Sequence, residues 1–160
     1  MTPSPDSRIG MLRHTVAALA YRAAKALRGA PAEFSTFAGA APRTPGRILA
    51  HLCDLFDWAL SLADGAHKWC DSTPGSWEQD TARFFAALEA FDRRLGSGIP
   101  LGCEPDRLFQ GPVADALTHV GQIAMLRRLA GFPIPGENYF VASITTGRCG
   151  ADQAAPVREF

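Results

Sequence analysis

Apolar residues recur along this chain at alternating steps of three and four positions, the spacing that places them on one face of an α-helix. Four segments show the pattern, from about residue 6 to 28, 44 to 64, 76 to 95 and 111 to 130. No segment alternates apolar and polar residues over five or more positions, so we expect no sheet. The pattern predicts an all-α fold, a four-helix bundle, in which residues 1–160 form a single domain.

Residues that typically begin helices stand at the predicted starts. Thr44 is expected to cap the second helix with Pro45 in its first position, and Ser76 opens a capping-box pattern at the third. The Gly-Pro pair at positions 111–112 is predicted to begin the fourth helix. These signals set the expected helix bounds.

Two segments lack helical periodicity. The first is a linker of small residues and prolines at about 30–43, in which Phe34 and Phe37 are expected to pack against the bundle. The second is the tail at 132–160, which we expect to be irregular and packed on the bundle because it carries several aromatic residues. Within it, residues 135–140 are predicted to turn back over the bundle, with Asn138 or Tyr139 bonded near the site or to a structural neighbour.

A histidine within an apolar stripe is the most informative polar residue of the second helix. The stripe consists of Ile48, His51, Leu55, Trp58 and Leu62. A buried imidazole needs a polar partner, and the fourth helix offers Asp115 and His119, which lie four positions apart on one face. Imidazole and carboxylate groups are suitable ligands for divalent first-row metals. The three residues together predict a metal site.

Each of these residues also has an ordinary structural interpretation. His51 would be a hydrogen-bonded core histidine, Asp115 an anion placed favourably near a helix start, and His119 a core histidine bonded to Gln122. Spacing alone leaves both interpretations open. No catalytic residue is identified; the only candidates for a general base are Asp54, which we expect on a solvated face of the second helix, and Glu137 in the tail.

Charge and composition exclude some classes of partner. Sixteen basic and sixteen acidic residues balance, so the chain has no net attraction for nucleic acid. No apolar run approaches the roughly 18 residues that span a bilayer, and no signal segment is evident. With four scattered cysteines and no CxxC pair, we expect reduced thiols in the cytoplasm.

The fourth predicted helix is apolar nearly all round. Its remaining face carries Thr118, Gly121 and Met125, which are small or flexible side chains that would allow another helix to approach closely. A helix of this kind is either the most buried in its bundle or part of a subunit contact. We therefore expect a homodimer.

Two segments, from Ile48 to Trp58 and from Ala116 to Gly131, resemble the DinB/YfiT-like family of metalloenzymes. The most specific pieces are the His-x-Gly-Gln-Ile motif that begins at His119 and the histidine of the second helix followed by an aromatic residue. The resemblance extends over about residues 8–150. It implies a four-helix bundle that is a mirror variant of the simple up-and-down arrangement and is often dimeric.

The same resemblance implies a divalent ion, Zn²⁺ or Ni²⁺ in many members, bound by three histidines. His51 and His119 match two of them, whereas Asp115 stands where the family has the first histidine of the last helix. A carboxylate shifts the preference towards harder ions, so Mn²⁺ or Fe²⁺ also becomes a candidate.

The activity implied by the resemblance is a thiol-dependent S-transferase or isomerase that binds a low-molecular-weight thiol, or else a metal-assisted hydrolase. Two alternatives remain open. One is a non-catalytic metal-binding or stress-related bundle protein in which the ion only joins helices, and the other is a bundle whose site has decayed.

Overall fold

The computed structural model describes residues 5–39 and 42–160, and these are helical apart from the connections and the tail. The helices are α1 (Pro5–Leu27), α2 (Pro45–Ala63), α3 (Trp77–Leu95), α4 (Pro105–Leu108) and α5 (Ala114–Leu129). Short 3₁₀ turns lie at Ala32–Thr36 and Tyr139–Val141. Within the described ranges, the sole β feature is an isolated bridge between Glu137 and Glu159. The all-α prediction is confirmed.

The prediction for the start of the fourth helix is wrong. Helical structure begins at Pro105, and a π turn, Phe109–Val113, joins α4 to α5 in one continuous element. Pro112 therefore lies inside the helix and not at its start. Proline lacks the N–H that an α-helical turn needs and its ring clashes with the preceding turn; a π turn alters the hydrogen-bond ladder at that point.

The four long helices form a ring. α1 packs closely against α3 and α5, and α2 packs closely against the same two helices. The pairs α1 with α2 and α3 with α5 are therefore diagonal, so two connections of the chain cross the bundle. This order differs from a simple up-and-down bundle, in which consecutive helices are neighbours. It places α2 beside α5, which is the arrangement that a shared site requires.

The predicted caps of α2 and α3 are confirmed. The Thr44 side chain accepts a hydrogen bond from the Arg47 amide, with Pro45 in the first turn. Ser76 and Gln79 form a reciprocal capping box at α3. Both caps satisfy amide groups that a helix start would otherwise leave without partners.

Aromatic rings fill the core between the helices. Phe56 of α2 meets Phe84 and Phe91 of α3 at ring-centroid distances of 5.9 and 5.7 Å. Phe34, from the linker, packs edge-on against Trp77 at 5.3 Å and is fully buried, whereas Phe37 is partly buried. Among the described residues, no helix has the length and apolar character that crossing a membrane requires.

The tail is irregular and packs against α1. Glu137 accepts hydrogen bonds from the Tyr21 hydroxyl at 2.6 Å and from Lys25 Nζ at 2.8 Å. Tyr139 meets Tyr21 edge-on, and the guanidinium of Arg22 lies 3.8 Å from the centre of the Tyr139 ring. These contacts fasten the tail to the bundle through a buried carboxylate.

Candidate metal centre

The structure brings together the three residues that the sequence singled out. His51 comes from the middle of α2, while Asp115 and His119 come from successive turns at the start of α5. One side-chain donor atom from each of the three lies within 4.8 Å of the other two. We call this cluster the His-Asp-His trio. It forms because α2 and α5 are neighbours in the ring.

The distances within the trio are longer than those of well-formed hydrogen bonds. Asp115 Oδ2 lies 3.4 Å from His51 Nε2, and Asp115 Oδ1 lies 3.5 Å from His119 Nε2. Well-formed N–H···O bonds are about 2.7–3.2 Å long. Two ligands about 2.1 Å from one tetrahedral ion are about 3.4 Å apart. The chemistry of the donor set therefore suits a divalent ion. The two short distances involve different oxygens of Asp115, and one donor atom from each residue lies within 4.8 Å of the others.

One hydrogen bond fixes the orientation of His119. Its Nδ1 lies 2.7 Å from Gln122 Oε1, one turn further along α5. Because that oxygen can only accept, the contact is a hydrogen bond in the tautomer whose Nδ1 carries the proton, and this tautomer leaves Nε2 without a proton on the side of Asp115. A second hydrogen bond of this kind is the usual way in which a metal-binding histidine is held in the correct tautomer.

Aromatic side chains cover the His51 side of the trio. The rings of His51 and His119 are nearly perpendicular, with centroids 4.8 Å apart. The ring of Trp69 lies edge-on to the His51 ring, with centroids 5.6 Å apart. The same Trp69 ring lies edge-on to the ring of Trp58, with centroids 5.7 Å apart. Trp69 belongs to the α2–α3 loop, and sequence periodicity did not identify it because loops have none. A tryptophan in a loop otherwise made of small and polar residues was the available signal.

The accessibility of the three residues differs. The His119 side chain is 11% exposed and that of His51 is 21% exposed, whereas the Asp115 side chain is 47% exposed. Two ligands are therefore held in the wall of the bundle and the third lies at its surface. An ion at this place would be accessible from solvent on the Asp115 side.

The prediction that Asp54 faces solvent is wrong. This carboxylate is 1% exposed and accepts hydrogen bonds from the Ser72 amide at 2.9 Å, the Ser72 hydroxyl at 2.7 Å and Arg83 at 2.8 Å. The α2–α3 loop folds back over this face of α2, which the helical pattern does not indicate. Burial disfavours the charge of Arg83, but its hydrogen bonds to Asp57 and Asp54 raise its pKa. With these partners, Asp54 anchors the loop.

Glu137, the other candidate base, is not brought to the trio. Its hydrogen bonds are to Tyr21 and Lys25 of α1. Tyr139 likewise packs against α1, and Asn138 accepts a hydrogen bond from the amide of Phe140, two residues further along the chain. These contacts correspond to packing on a structural neighbour, which was one of the two expectations for the tail.

The cysteines contribute nothing to the trio. All four are free thiols. Burial raises the pKa of Cys53 and of Cys149 to about 12, so both are protonated near neutral pH. A protonated, buried thiol is neither a good metal ligand nor a good nucleophile.

No family model matches this chain, and no curated protein or solved structure matches it either. The resemblance to the DinB/YfiT-like family therefore remains a prediction, and the geometry of the site carries the functional argument.

Proposed function

We propose that this protein is a metal-dependent enzyme of the DinB-like class, with a divalent ion bound by His51, Asp115 and His119. The observation that carries the proposal is the spacing of the trio. One carboxylate oxygen of Asp115 lies 3.4 Å from His51 Nε2 and the other lies 3.5 Å from His119 Nε2, distances that are too long for strong hydrogen bonds and near the separation of two ligands of one ion.

The number of ligands supports a catalytic site over a structural one. Structural zinc sites have four protein ligands, whereas catalytic sites have three and leave a position for water or substrate. When bound, a divalent ion would supply the Lewis acid that a thiol-dependent transferase or a hydrolase needs. In this proposal Gln122 orients His119, and Trp69 limits the access of water to His51.

The donor set bears on the identity of the metal. Two imidazoles suit Zn²⁺ and Ni²⁺, which are the first candidates, and a carboxylate in place of a third imidazole makes Mn²⁺ or Fe²⁺ acceptable as well. The proposed substrate class is a low-molecular-weight thiol or a molecule open to hydrolysis.

A non-catalytic bundle in which the ion only joins two helices is the second candidate. It is favoured by one observation, namely that the ligands come from two neighbouring helices, so an ion would fasten α2 to α5. Thermal unfolding with and without a chelator separates the two candidates. A structural ion raises the melting temperature strongly, since its binding energy is folding energy.

The test is the metal content of purified protein after loading with Zn²⁺, measured by plasma mass spectrometry for the wild type, His119→Ala and His14→Ala. His14 is an exposed histidine of α1 and serves as the control. We expect one ion in the wild type and in His14→Ala, a sharp loss in His119→Ala, and unchanged helical circular dichroism in all three. Equal zinc in the wild type and His119→Ala would refute the site.

A further inference from the structure

A cavity of about 320 Å³ adjoins the trio. It lies at the start of α2, and His51 belongs both to its wall and to the trio. Its other polar residues include Arg43, Arg47, Asp54, Asp71 and Ser72. The volume is at the lower end of the range of ligand pockets in proteins, which is about 300–1,000 Å³, so the cavity suits a small molecule.

The two arginines of this wall are not engaged by its carboxylates. Asp54 is already bonded to Ser72 and Arg83, which leaves Asp71 as the remaining carboxylate. Neither guanidinium of Arg43 and Arg47 has a hydrogen-bond or ion-pair partner among the described residues. The formal charges of the wall balance, but Asp54 is already engaged, and the two guanidinium groups that line the cavity are unpaired within the described part of the chain.

Helix stability does not explain the position of Arg47. It lies in the first turn of α2, which contains no acidic residue, and a cation there opposes the helix dipole. The first turns of α3, α4 and α5 each carry an acidic residue. An anion bound in the cavity would compensate both the dipole and the two arginines.

We propose that this cavity binds the carboxylate of a small organic acid, with Arg43 and Arg47 as its anchors and the other end of the molecule towards the trio. Planar guanidinium groups match carboxylates through paired hydrogen bonds. This inference rests on the proposed function, since it adds a carboxylate to the thiol or hydrolysable group that a substrate of the same site would carry.

The register of α2 supports this geometry. Arg47 and His51 lie four positions apart, so they share one face of the helix and their Cβ atoms are about 6 Å apart. The backbone positions of the two residues are therefore roughly 6 Å apart along the helix axis. A molecule with two to four carbon atoms beyond its carboxylate covers that distance.

The test is isothermal titration calorimetry of the zinc-loaded protein with succinate and with its neutral diamide, succinamide. The variants are Arg43→Gln and Arg47→Gln. Arg93→Gln removes the same charge from an exposed site in the last turn of α3 and is the control. We expect succinate to bind, succinamide to bind at least tenfold more weakly, each cavity variant to lose about tenfold in succinate affinity, and the control to keep its affinity.

The zinc content of every variant is measured first, which separates this inference from the proposed function. If zinc fails to bind, the metal centre is wrong, and titration of succinate into the metal-free protein then tests the arginines directly. Absence of succinate binding overturns the inference. Equal affinity in the wild type and both cavity variants also overturns it, because succinate would then be held by the ion alone.

Discussion

The hydrogen bond between His119 and Gln122 is the shortest polar contact made by any member of the trio, at 2.7 Å. This hydrogen bond occupies Nδ1 of the imidazole, so Nε2 is the nitrogen that lies towards Asp115. Gln122 itself is exposed. Among the described residues, it has no hydrogen bond to His51 or Asp115. Its contribution at the residue scale is therefore to position His119.

Gln122→Leu should lower zinc affinity by about 10- to 100-fold, the usual effect of losing such a partner. Removing the acceptor frees the imidazole ring to rotate and to exchange its tautomer. Competition with a chromophoric chelator measures the affinity. Gln122→Glu, which keeps an acceptor at the same place, should retain it. Unchanged affinity in Gln122→Leu would mean that Gln122 does not position His119 for an ion.

Tyr21 makes a contribution to the stability of the protein that depends on pH. Burial, together with the hydrogen bond to Glu137, raises its pKa to about 12 from an ordinary value of 10. Because the folded state favours the protonated phenol, this stabilisation is fully present below pH 10 and is lost as pH rises from 10 towards 12.

We therefore expect the free energy of unfolding of the wild type to exceed that of Tyr21→Phe at pH 8, and the difference to shrink by roughly 2–3 kcal/mol by pH 12. Urea titrations at pH 8, 10 and 12 measure the trend. Burial opposes the charge of Lys25, but its hydrogen bonds to Glu137 and Glu159 raise its pKa. Lys25 titrates in both proteins, so its contribution cancels in the difference between their free energies of unfolding. A difference independent of pH would contradict the burial of the phenol.

Single residues also show how far the sequence can be read. The position of His51 on an apolar stripe and the four-residue step from Asp115 to His119 follow from helical geometry, so the three could be identified together. The environment of Asp54 could not be predicted. Its burial depends on Ser72 and Arg83, which a loop and another helix bring to it.

Three elements are joined by one arginine. Arg83 of α3 bonds Asp54 and Asp57 of α2 at 2.8 and 2.6 Å, and also the hydroxyl of Ser72 in the loop between them at 2.9 Å. Asp54 is buried, whereas the Asp57 side chain is 50% exposed. The two aspartates share a partner and differ in burial, so they form a matched pair for experiment.

Asp54→Ala should lower the free energy of unfolding by about 3 kcal/mol, because it removes a buried carboxylate and leaves the Ser72 amide and part of Arg83 without a partner. Asp57→Ala, which removes an exposed ion pair to the same arginine, should cost about 1 kcal/mol or less. Urea denaturation of both variants measures the difference. Equal costs would show that the α2–α3 loop does not depend on Asp54.

The fourth helical element shows a limit of local signals. Gly111 and Pro112 have the composition of a helix start, yet helical structure passes through them by way of the π turn. What decides the outcome is packing: Leu108, Pro112 and Val113 are all buried against the bundle. Tertiary contacts of this kind override the preference of a Gly-Pro pair for the start of a helix. They cannot be predicted from the sequence of the segment alone.

At the scale of the whole molecule, the periodicity of apolar residues predicted the number of long helices and the face that each one buries. It did not predict the order of the helices in the ring. Each amphipathic helix can bury its stripe against either neighbour, so the stripes alone do not distinguish a simple up-and-down bundle from the diagonal connections seen here. The sequence placed His51 and His119 on inward faces; the adjacency of α2 and α5 is what unites them.

Assembly is the remaining question at this scale. α5 exposes a row of apolar or small residues at Gly121, Met125 and Leu129, with Met125 58% and Leu129 60% exposed. A Cβ added at Gly121 meets no atom within 4 Å in the protomer. A side chain introduced there therefore probes contacts with another molecule without disturbing this one.

We expect the wild type to be a homodimer at micromolar concentration in light scattering, with this row of α5 at the two-fold axis. Gly121→Glu should give a monomer, because two like charges would face each other across the axis, and it should not lower helical content, since glycine is the weaker helix former. Ile99→Glu changes an equally exposed apolar residue of the α3–α4 loop and should leave the dimer intact. A monomeric wild type, or a dimer that survives Gly121→Glu, would exclude this face of α5 as the interface.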